Sequence, residues 1–113
     1  MNKKIGKLLV VNVKYYRGEV FTYIGRKNDF YGFEGSVLAN RKRDNGMSRD
    51  ESIERYRVWL WEEVKNEGDV WNELVRLLEK LKKGEDVVLA CWCKPKSCHG
   101  DIVKGCLEWM LKK

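Results

Sequence analysis

Glutamine is absent from this 113-residue chain, proline occurs once, at Pro95, and histidine once, at His99. No stretch is rich in serine or glycine and no segment repeats, so neither a linker nor a repeat array divides the chain. One α/β domain over residues 1–113 is expected, long enough to bury a real core. Apolar runs fall well short of the roughly 18 to 20 residues that a membrane helix needs, and no basic, apolar, small-residue leader opens the sequence. The chain is therefore expected to be soluble and cytoplasmic, with no membrane partner. Lack of glutamine beside abundant lysine and glutamate is a bias of heat-stable proteins. In hyperthermophiles intracellular disulfides persist, which keeps a disulfide among the chemistries open to the cysteines.

Acidic residues are scarce in the first half. Residues 1–49 carry eleven Lys or Arg against four Asp or Glu, whereas residues 50–113 carry twelve against thirteen, so a formal charge of +6 divides into +7 and −1. That asymmetry points to an anionic partner, a nucleotide or nucleic acid, approaching Arg26-Lys27, Arg41-Lys42-Arg43 and Arg49. A solvated basic surface explains the same charges without a ligand.

Periodicity predicts strands over Leu8 to Val13 and Phe21 to Ile24, with a turn near Gly18. Residues 27–47 show no sustained period and read as a long loop. Ser48-Arg49-Asp50-Glu51 is a capping box, followed by Ile53, Tyr56, Leu60 and Val64 at helical spacing up to Gly68. A second helix runs from Asp69, with Trp71, Leu74, Leu77, Leu78 and Leu81 on one face, to Gly84. Val87 to Cys91 is continuously apolar, as in a strand buried on both faces, and a last helix begins near Ser97 or Cys98 and carries Ile102, Val103, Leu107 and Met110. Cys106 falls on that apolar face and reads as core. The order of elements predicts a small three-layer α/β sandwich with a short, mainly parallel sheet flanked by helices.

Three of the four cysteines and the single histidine lie in Cys91-Trp92-Cys93-Lys94-Pro95-Lys96-Ser97-Cys98-His99-Gly100-Asp101. The run sits where the central strand ends and the last helix begins, the edge at which parallel sheets bind ligands. Three chemistries fit it. In the first, Cys98 at a helix start beside Lys94 and Lys96 ionises more easily than a free cysteine, with His99 as proton carrier and Asp101 as orienting carboxylate. In the second, Cys91, Cys93, Cys98 and His99 hold a zinc ion, although four ligands within nine residues are more crowded than in paired zinc knuckles. In the third, Cys93 and Cys98 form a disulfide across the turn; Cys91 and Cys93, about 6.5 to 7 Å apart in an extended strand, are less well disposed. Trp92 reads as a strand residue packed beneath a helix, with base stacking as its other role.

At these residues the sequence resembles the family known as domain of unknown function 4326, short bacterial and phage proteins whose block Cys-Trp-Cys-x-Pro-x-x-Cys-His-Gly-Asp aligns with Cys91 to Asp101 without a gap. The likeness extends to Tyr23-Ile24-Gly25-Arg26, to Ser36-Val37-Leu38-Ala39-Asn40 and from Arg49 to Tyr56. It departs where the family's Asn-Pro-Phe continues here as Asn40-Arg41-Lys42. A looser likeness is to family 488, whose strand-to-helix junction also ends in Cys-His. Neither resemblance implies a particular reaction. Together, residues and resemblance define an expected pocket of Arg26, Asn40, Arg49, Cys91, Cys93, Cys98, His99 and Asp101 for a phosphate-bearing ligand, with thiolate chemistry at Cys98. The alternatives are a non-catalytic nucleic-acid-binding module whose cysteines hold zinc or a disulfide, and an interaction factor of viral or host-defence type.

Overall fold

The computed structural model describes residues 5–18, 20–40, 47–92, 94, 96 and 98–112. Arg41-Lys42-Arg43 and Cys93, expected above to take part in ligand binding, lie outside the described residues. The chain runs β1 (Leu8–Asn12), β2 (Thr22–Tyr23), α1 (Arg49–Asn66), α2 (Asp69–Lys82), β3 (Val87–Cys91) and α3 (His99–Leu111). The α/β architecture with a short parallel sheet flanked by helices is as the sequence predicts. Strand order is β1-β3-β2, with both neighbours parallel to β3. Leu8 pairs with Val87 and Asn12 with Cys91, while Thr22 pairs with Leu89 and Tyr23 with Ala90. All three strands therefore end at one edge.

All five residues of β3 are buried, which is why this strand reads as an unbroken apolar run. β2 is shorter than expected: regular pairing covers Thr22–Tyr23, and the backbone N–H of Ile24 then donates to the Ala90 carbonyl at 3.0 Å. Helices α2 and α3 pack on the sheet, and the three helices pack on one another, α1 against α2 and α3, and α2 against α3. Between them lies one core containing Leu60, Leu74, Leu77, Leu81, Leu89, Val103 and Leu107.

Helix boundaries follow local chemistry. Ser48 caps α1, its hydroxyl accepting from the Glu51 N–H at 3.1 Å. The helix ends where Glu67 turns left-handed, at φ 51° and ψ 38°, immediately before Gly68. The buried stripe of α1 is Ser52, Tyr56, Leu60 and Val64. It begins one residue before the expected Ile53, because this helix turns a polar residue, Ser52, toward the interior at its first turn. In α2 the buried stripe likewise takes in Val70, leaving Trp71 only partly covered. Among the described residues no helix is long and apolar enough to cross a membrane.

Cys106 is buried in α3, as its spacing implies, and burial pushes its thiol up to about 11. Burial, with Cys106 and Cys98 nearby, also lifts the Tyr56 phenol well above its ordinary range. The sign for stability follows. An unfolded chain releases the thiol proton near its ordinary value while the folded chain retains it, so the unfolded state binds fewer protons and folding weakens as pH rises. Denaturant titrations from about pH 9 to about pH 11 are expected to reveal a loss of about 2 kcal/mol from Cys106. Cys106→Ala should remove that share, leaving the declines from Tyr56 and from Lys94, whose pKa is also raised in the folded chain. A flat profile in the parent protein would refute the assignment.

Candidate functional site

The carboxyl edge of the sheet opens into a pocket of about 280 Å³. Its lining includes Arg26, Asn40, Arg49, Cys91, Cys98 and His99, six of the eight residues expected from sequence. Asp101 is not part of the lining, and Cys93 lies outside the described residues. The pocket also takes in Tyr23, Lys27, Asn28, Ser52, Ile53 and Trp92.

Each wall has a physical cause. At the end of β1, the Asn12 carboxamide donates to the carbonyls of Trp92 (3.0 Å) and Lys94 (2.8 Å) while its oxygen accepts from the Lys14 N–H (2.9 Å). One side chain from the first strand thereby shapes the loop that follows the last. Beyond β2, the Tyr23 hydroxyl accepts from the Trp92 indole N–H at 2.8 Å and donates to the Arg26 carbonyl at 2.6 Å. Ser36 folds the next segment, its hydroxyl accepting from the Leu38 N–H at 3.0 Å, and buried Tyr56 of α1 donates to the Leu38 carbonyl at 2.6 Å. That turn delivers Asn40, whose side chain donates to Ser52 Oγ at 2.9 Å and whose carbonyl accepts from Arg26 Nε at 2.9 Å. The spacing of Ser36, Leu38 and Asn40 thus has a structural basis: a turn former, a fully buried anchor and a link to α1.

Arg26 reaches the pocket with Nε engaged by Asn40, and among the described residues its guanidinium makes no ion pair. Its fork geometry suits a phosphate or carboxylate. The first turns of α1 (Arg49, Ser52, Ile53) and α3 (His99), with the N-cap Cys98, border the same space, so the positive ends of two helices face it.

In the cysteine block, Cys91 Sγ and Cys98 Sγ lie 3.1 Å apart, both sulfurs buried. Linear spacing singled out Cys93 with Cys98, a pairing that lies outside the described residues; the fold brings Cys98 back over the end of β3 and onto Cys91. Gly100 makes the approach of α3 possible, since a Cβ there would come within 2.8 Å of Val10 Cγ1 and 3.2 Å of Cys98 Sγ. His99 is buried, packed edge-on against Tyr56 at 5.1 Å, with Nε2 2.7 Å from the Ile24 carbonyl. A carbonyl only accepts, so Nε2 carries the hydrogen in this contact. Asp101 accepts from the Cys98 backbone N–H at 3.3 Å and pairs with Lys94 Nζ at 2.6 Å. Its carboxylate thus caps α3 and fixes Lys94, and no described hydrogen bond links it to the imidazole. That pair, more than any other interaction, holds Lys94 protonated above the ordinary lysine range, and the charges of Cys98 and Cys91 add to the effect. Among the described residues no group of three or more His, Cys, Asp or Glu side chains is disposed to hold a metal ion.

Trp92 departs from the expectation that it packs beneath a helix. Regular strand structure ends at Cys91, so alternation no longer dictates its direction, and the indole lines the pocket beside Tyr23, Tyr31 (5.0 Å between centroids) and Phe33. Ser52, Tyr23 and Asn12 were not anticipated. Each has a partner 12 to 82 residues away, which no local pattern encodes.

Fold and site define a small parallel α/β protein with a cysteine–histidine centre at the carboxyl edge of its sheet. Residues 11–109 match the family model described as a domain of unknown function (DUF4326), and the chain belongs to that family. No curated protein and no solved structure matches it.

Proposed function

We propose that the pocket binds a phosphate-bearing ligand, a nucleotide or single-stranded nucleic acid, and that Cys98 supplies thiolate chemistry there. The observation that carries the reading is the convergence of Arg26, Lys27, Arg49 and two helix N-terminal turns on one pocket at the edge of a parallel sheet. Tyr23 and Trp92 in the same wall, with Tyr31 against the indole and Phe30 88% exposed next to it, favour a ligand with a base to stack over bare phosphate. The choice of Cys98 rests on its place at the start of α3, bordering the pocket and close to Lys94.

Binding of a short single-stranded oligonucleotide and of adenosine diphosphate, followed by titration calorimetry over a range of salt concentrations, tests the ligand. Affinity is expected to fall as salt rises, and Arg26→Ala to weaken it about tenfold, the value of a lost charge-assisted contact. Affinity indifferent to salt and to Arg26 would refute the proposal. Alkylation at neutral pH, compared between the parent and Cys98→Ser, tests the thiolate; Cys106, buried like Cys98 but not bordering the pocket, is the slow reference.

A further inference from the structure

We infer that Cys91 and Cys98 form a redox couple that reacts with small hydroperoxides, closing from dithiol to disulfide. This extends the thiolate part of the proposed function and does not depend on the anionic ligand. The observation behind it is the 3.1 Å separation of the sulfurs, about 1 Å longer than a disulfide bond. The two residues come from elements that dock on each other, the end of β3 and the N-cap of α3, so little movement is needed to join them. Both cysteines are only 1% exposed, yet both border the pocket. An oxidant must therefore enter through the pocket and be small. Hydrogen peroxide meets that requirement, whereas a folded protein disulfide does not.

The chemistry balances without a metal. Cys98 Sγ, as thiolate at the helix start, attacks one peroxide oxygen; the S–O bond forms, the O–O bond breaks and hydroxide departs, taking up a proton to become water. The sulfur is oxidised by two electrons to the sulfenic acid. Cys91 Sγ then attacks that sulfur; the S–S bond forms, the S–O bond breaks, and the thiol proton leaves with the hydroxide as a second water. Two thiols and one peroxide thus give one disulfide and two waters. Lys94, whose ammonium interacts electrostatically with both sulfurs, is the nearby cation that favours the attacking form.

The experiment treats the reduced full-length protein with one equivalent of hydrogen peroxide, blocks remaining thiols, digests with trypsin and maps the peptides by mass spectrometry. Cleavage after Lys96 separates the peptide carrying Cys91 and Cys93 from residues 97–104 carrying Cys98, so the two stay together only through a disulfide. The expected result is a cross-linked pair lighter by two hydrogens, formed before Cys106 oxidises. Cys93→Ser should retain the link, which assigns it to Cys91, and Cys91→Ser should stop at a sulfenic acid on Cys98 that dimedone traps. Cross-linking is scored on the protein without oligonucleotide and oligonucleotide binding on the fully reduced protein, so failure of the anion site and failure of the redox couple are separable. Loss of the link in Cys93→Ser, verified as folded by circular dichroism, would overturn the inference. So would one bound equivalent of zinc with thiols that peroxide does not join.

Discussion

Gly100→Val is expected to destabilise the protein by about 3 kcal/mol, the upper part of the usual range for overpacking a core. A β-carbon at residue 100 would stand 2.8 Å from Val10 Cγ1 and 3.2 Å from both Cys98 Sγ and Ile24 Cδ1. These atoms belong to β1, to the segment after β2 and to the N-cap of α3, so relief for one contact tightens another. Gly105 supplies the control within the same helix. It is exposed, and a β-carbon there meets nothing within 4 Å. Gly105→Ala should therefore follow helix propensity and stabilise by about 1 kcal/mol, whereas Gly100→Ala should destabilise despite the same intrinsic gain. Denaturant midpoints of the three variants check this, and equal signs for the two alanine variants would overturn the close-approach argument.

Leu89→Ala is expected to cost about 3 to 4 kcal/mol, because it empties space at the middle of the central strand where no neighbour can easily collapse. Leu89 is fully buried and pairs with Val10 on one side and Thr22 on the other. Leu9, one position earlier on the neighbouring strand, is 45% exposed, and Leu9→Ala should cost less than about 1 kcal/mol. The contrast is measurable in one series of urea titrations. Similar losses at both positions would mean that the outer face near Leu9 is covered in solution.

Much of the architecture was legible because its signals are local. The five apolar residues of β3, the Ser48–Glu51 cap and the leucines of α2 each declare their element within a few residues. The cysteine block, lying at a strand-to-helix junction, located the pocket for the same reason. Its walls were less legible. Asn40 and Arg26 were singled out by resemblance and by strand-end position, but the link between them, and Ser52 beneath them, depend on how the turn at Ser36 lands on α1. Trp92 was misjudged because a period of two was carried one residue past the end of its strand. Asp101 shows how one residue type serves several ends: a first-turn acid beside a histidine is also what caps a helix and pairs with a lysine. The Cys91–Cys98 approach had no linear signature, since it is created by the path of the connection and not by its length.

The order β1-β3-β2 has a consequence for how the molecule comes into being. Among the described residues neither of the first two strands is hydrogen-bonded to the other, and each pairs with β3, which begins at Val87. During synthesis, most of the chain must leave the ribosome before any sheet can exist, and the last strand has to enter between two waiting ones. The contact of Asn12 with the carbonyls of Trp92 and Lys94 spans 80 and 82 residues, so the cysteine loop acquires its form in that same closing event. Secondary structure in the two central helices can precede it, but the pocket cannot. Shape at the sulfur pair is thus a direct report of complete folding.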